Sequence, residues 1–150
     1  MKLAEALQLR ADLNRQIAQL RNRINNNALV QDGLQPNEDP IELLNQLNSS
    51  IDQLEQLIFR INLTNCYTTF ENTSLTQLMA KRDCLTIKIN AYKELVESAS
   101  ENTYRATRTE ILIRPTIEVK EIQKRVDSLS KQLRELDNKI QQINWLAELM

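Results

Sequence analysis

The chain predicts a mainly α-helical protein, an elongated antiparallel four-helix bundle, and three observations carry that expectation. Leu, Ile and Val recur at alternating steps of three and four, most extensively in Val119, Ile122, Val126, Leu129, Leu133, Leu136, Ile140 and Ile143. Such spacing holds the apolar side chains on one stripe of a helix. Aromatics are 4% and Gly33 is the one glycine, whereas sheet-rich folds are rich in turns and in aromatic residues. At 150 residues the chain is long enough for one domain, residues 1–150, with a self-sufficient core.

Helix 1 is expected over about residues 2–30. Its seam of Ala6, Leu9, Leu13, Ile17, Leu20, Ile24 and Ala28 steps 3-4-4-3-4-4. That is an eleven-residue repeat, close to the natural helix period, so a nearly straight rod is predicted. Residues 31–40 hold the glycine and two of the three prolines and read as a connector. Helix 2, about 40–65, opens with Asp39 as N-cap, Pro40 at the first helical position and Glu42 in capping-box position. Its apolar seam is Leu44, Leu47, Ile51, Leu54, Ile58 and Ile61.

The run from Cys66 to Asn72 loses helical spacing, and Ser74 with Gln77 forms a second capping box. Helix 3, about 75–100, has the seam Leu75, Leu78, Arg82, Leu85, Ile89, Tyr92, Val96 and Ala99. Next comes one short β segment, about 104–114, between helices 3 and 4. Thr107, Thr109, Ile111 and Ile113 alternate there with Arg108, Glu110, Leu112 and Arg114. Pro115 stops it, Thr116 is the expected cap, and helix 4 runs over about 117–146. Short connectors after helices 1 and 2 favour antiparallel neighbours.

A lone strand leaves backbone groups unpaired along its edges. The strand can pair with the 31–40 connector, run along the bundle towards Tyr67 and Phe70, or pair with the same segment of a second copy. The last is always compatible in register and is the favoured reading. A homo-oligomer is therefore expected, through residues 103–114. The candidate edge is Tyr104, Arg105, Arg108, Glu110, Ile111, Ile113 and Arg114. The 15 Asn and 13 Gln lie mostly opposite the seams, as a solvated face or a second, wetter contact between subunits.

Chemistry has few residues to work with. There is no histidine, so no Ser/His/Asp or Cys/His arrangement and no Cys/His zinc site can be built, and one glycine cannot make a phosphate loop. No catalytic residue, metal ligand or cofactor is expected. Net charge is -1, with 19 basic and 20 acidic residues interleaved, which argues against a nucleic-acid partner. Cys66 and Cys84 are too few for a secreted disulfide framework. The opening MKLAEALQLRADL has no continuous apolar stretch, and no run approaches the roughly 20 residues a membrane helix needs. A cytoplasmic protein without stable membrane insertion is expected.

The polar interruptions of the seams are the remaining candidates: Arg60, Asn62, Asn65, Arg82 and Asp83. They read either as a small-anion pocket with Arg82 as bidentate donor, or as an internally paired network fixing helix register. Trp145 reads as a cover for the end of its own core or as a partner anchor.

The segments MKLAEALQLRADL, ALVQDG, EDPIELL, RINLTN, LTQLMAKRD, RPTIEV and LDNKIQQINW, in this order, resemble a bacterial family labelled septicolysin-like. The resemblance spans nearly the whole chain and implies a small helical protein without an established activity. The label itself implies a membrane-active, cytolysin-like role. The 107–113 strand is shorter than the roughly 9–11 residues a membrane barrel strand requires.

Overall fold

The computed structural model describes residues 1–101 and 113–150. It is mainly helical, with four helices in the expected order: α1 (Leu3–Asn26), α2 (Pro40–Tyr67), α3 (Leu75–Ser100) and α4 (Val119–Leu146). The β structure differs from expectation. A two-stranded antiparallel hairpin, β1 (Thr69–Phe70) and β2 (Thr73–Ser74), joins α2 to α3 rather than α3 to α4. Of the expected 104–114 segment, only Ile113 and Arg114 are described, both exposed. Tyr104, Arg105, Arg108, Glu110 and Ile111 lie outside the described residues.

The described chain forms two compact units. The first holds residues 1–74 and 143–150. Here α1 and α2 pack as an antiparallel pair: Leu9 shares a groove with Leu57, Gln16 with Ser49, and Arg23 with Leu43. Numbers rising on one helix and falling on the other fix that direction. Leu3, Ala6, Leu13 and Leu20 of α1 are buried, as are Leu43, Ser50, Leu57, Ile61 and Thr64 of α2. Ala6, Leu13 and Leu20, and likewise Leu43, Ser50, Leu57 and Thr64, repeat every seven residues, the period of a coiled-coil seam.

This is a correction to the seams read from spacing alone. Leu9 on α1, and Leu44, Ile51 and Ile58 on α2, are exposed rather than central. Ser50 and Thr64 take the central places because their hydroxyls donate to carbonyls one turn back, Gln46 at 2.9 Å and Arg60 at 2.8 Å. A hydroxyl satisfied by its own helix can be buried at little cost.

Caps set the helix ends. The Lys2 N–H donates to Glu5 Oε2 at 2.7 Å at the start of α1. At the start of α2, Asp39 Oδ1 accepts the Ile41 N–H at 2.9 Å and Pro40 occupies the first turn, as expected. α1 stops four residues short of its expected end because Asn27 leaves the helix to bind backbone. Its side chain donates to Arg23 O at 2.9 Å and accepts the Glu38 N–H at 3.1 Å. Arg23 also pairs with Glu38, through Nε at 3.0 Å and through Nη2, so the connector returns to the helix it left. α4 starts two residues late: the Ile122 N–H bonds to Glu118 O, past the bend at 116–117.

The second unit holds residues 75–142. Both of its helices follow the seams expected for them. Leu75, Leu78 and Ile89 are buried on α3, and Val126 and Ile140 on α4. Arg82, Leu85, Tyr92, Val96 and Ala99, with Ile122, Leu129, Leu133 and Leu136, are half-buried.

The hairpin turns on Glu71 and Asn72, both in the left-handed region at φ 49° and 63°. Two such residues in a two-residue loop give a type I′ turn, which glycine and asparagine favour and branched side chains resist. Asn72→Val is expected to destabilise the protein by about 1–2 kcal/mol, or roughly 2–4 °C in Tm per kcal/mol. Asn72→Gly should leave the melt unchanged or raise it. Thermal unfolding of both variants checks the sign of each.

Candidate functional site

The first unit is closed by a clasp between the two ends of the described chain. Leu3 N–H donates to Ala147 O and Leu149 N–H to Met1 O, both at 2.9 Å, making an antiparallel bridge between Lys2 and Glu148. Lys2 Nζ reaches Leu146 O at 3.1 Å and Glu148 Oε1 at 2.6 Å, and the Met1 ammonium lies 3.3 Å from Glu148 Oε2. At Met150, the carbonyl accepts Arg60 Nε at 2.7 Å and the N–H donates to Thr64 Oγ1 at 3.0 Å. The fully buried Thr64 hydroxyl thus joins α2 to the tail beyond α4.

Two unlike surfaces flank the α1–α2 seam. Successive helix residues point about 100° apart. Glu42, Ser49 and Gln56 precede Leu43, Ser50 and Leu57 by one residue, so they lie 100° to one side. Leu44, Ile51 and Ile58 follow by one residue and lie 100° to the other. The first side carries a groove. It begins as an apolar hollow of about 380 Å³, with Met1, Leu9, Leu13 and Leu57 among its walls and Asp52 and Arg60 at its rim. It continues over Gln16, Ser49 and Gln53 towards Arg23 and Glu38. The second side has no polar counterpart: Leu44, Ile51 and Ile58 are 38%, 43% and 39% exposed.

The polar residues singled out from the sequence divide between the two units. Arg60, Asn62 and Asn65 are on α2, with Arg60 holding Met150, Asn62 exposed and Asn65 half-buried. On α3, Arg82 spends Nε and Nη2 on the Oδ1 of Asp83, at 2.9 and 2.8 Å. An anion at Arg82 would have to compete with that carboxylate. Trp145 is 62% exposed, so it does not cover the end of a core. Among the described residues no cluster of three Cys, Asp or Glu side chains could hold a metal ion, and no helix is long and apolar enough to cross a membrane.

Residues 10–149 match DUF6847, described as a family of unknown function. The chain belongs to this family. It is similar over its full length to a functionally unknown conserved protein from Corynebacterium diphtheriae, known from a crystal structure. The two are 36% identical with a TM-score of 0.91, covering 100% of this chain and 99% of the other. No curated protein matches. The septicolysin-like resemblance is therefore corrected: the match over residues 10–149 is to DUF6847, and the solved relative carries no such label.

Two expectations test the clasp of this DUF6847 protein. Thr64→Val keeps side-chain size but removes the acceptor of the Met150 N–H, and should cost about 1–3 kcal/mol. Thr64→Ser should restore most of it. Urea unfolding of the pair, with exchange of the Met150 amide, reads the effect. The second test concerns Glu148. Hydrogen bonds from Lys2 and then from the Met1 ammonium hold its carboxyl below the usual carboxylate range, against a smaller opposing effect of burial. The ionised form therefore stabilises the clasp above the ordinary Glu value of about 4.3, and this is lost as pH falls through the lower folded value. A side-chain NMR titration of Glu148 should show a midpoint below 4.3; one at or above it means the clasp does not hold in solution.

Proposed function

We propose that this protein is a non-enzymatic, homo-oligomeric helical scaffold or interaction protein of a reducing, cytoplasmic compartment. The observation that carries the reading is the flank of α2 bearing Leu44, Ile51 and Ile58. Large aliphatic side chains in line along a helix seldom stay in water, and contiguous apolar surface on a soluble protein marks an interaction site. Each exposes an area that a partner would remove from water, at about 25 cal/mol per Å². The same residues interleave with half-buried Leu47 and Leu54 at three-four spacing, the pattern by which one helix receives another. Exposed Cys66 and Cys84, not joined to each other, fit a reducing environment.

Wild-type protein at micromolar concentration should show, by light scattering, the mass of two or more chains. Ile51→Lys should lower that mass while leaving helicity unchanged by circular dichroism. A wild-type mass of one chain throughout would remove the reading.

A further inference from the structure

We draw no further inference here: the strongest candidate, the apolar hollow between α1 and α2 walled by Met1, Leu9, Leu13 and Leu57, carries nothing, because nothing in the structure shows what fills it and the Arg60 at its rim is already engaged by the Met150 carbonyl.

Discussion

The first unit depends on a seven-residue repeat shared by two antiparallel helices. Ala6, Leu13 and Leu20 on α1 meet Leu43, Ser50 and Leu57 on α2, and a heptad on both sides keeps the same faces together for their full length. Close packing makes this a strict condition, because a helix turned by one residue would bring a different set of volumes into the seam. The small side chains at Ala6 and Ser50 let the backbones approach, and Leu and Ile fill the remaining space. The grooves and flanks are consequences of that choice, since each is defined by its angle from the seam.

Closure of the clasp then follows from one buried hydroxyl. Thr64 continues the α2 heptad of Leu43, Ser50 and Leu57. It therefore stands at the end of the hairpin where α1 begins and where the tail after α4 arrives. A purely apolar residue there would satisfy the seam but leave the Met150 N–H without its acceptor. Thr64 does both, donating to its own helix and accepting from the tail. Arg60, one turn earlier, donates its Nε–H to the Met150 carbonyl, so neither backbone group of that residue is left unpaired.

Much of this was legible in the residues, and the failures have physical causes. The four helices, the Asp39-Pro40 start of α2, and the seams of α3 and α4 follow from apolar spacing and capping chemistry. On α1 and α2 the spacing misplaced the centre of the seam, because Ser50 and Thr64 count as polar in a pattern although each hides its hydroxyl within its helix. The β hairpin was missed because Glu71-Asn72 lacks the glycine that marks such turns, and a Glu in left-handed conformation is visible only in the backbone. The clasp leaves no trace in local pattern, since Thr64 and Met150 are 86 positions apart and the bond joins a backbone N–H to a side-chain hydroxyl. Arg60 was singled out as polar near the end of α2, but its partner could not be read from composition. Leu44, Ile51 and Ile58 were legible as apolar and at coiled-coil spacing, yet nothing in one chain says whose seam they belong to.

That last ambiguity bears on function. Glu42, Ser49 and Gln56 stand as far from the buried seam of α2 as Leu44, Ile51 and Ile58 do, on the opposite side. Packing against α1 places equal demands on both positions, and solvent would favour polar residues at both. One side follows that preference and the other carries three large aliphatics. Helix propensity does not account for the difference, because Glu and Gln form helices about as well as Leu and better than Ile. The described chain covers more than half of each of these side chains, and that burial is what favours an aliphatic residue there. α2 carries two overlapping seams that share Leu47, Leu54 and Ile61: one faces α1, and the other ends in Leu44, Ile51 and Ile58, which keep 38–43% of their surface exposed.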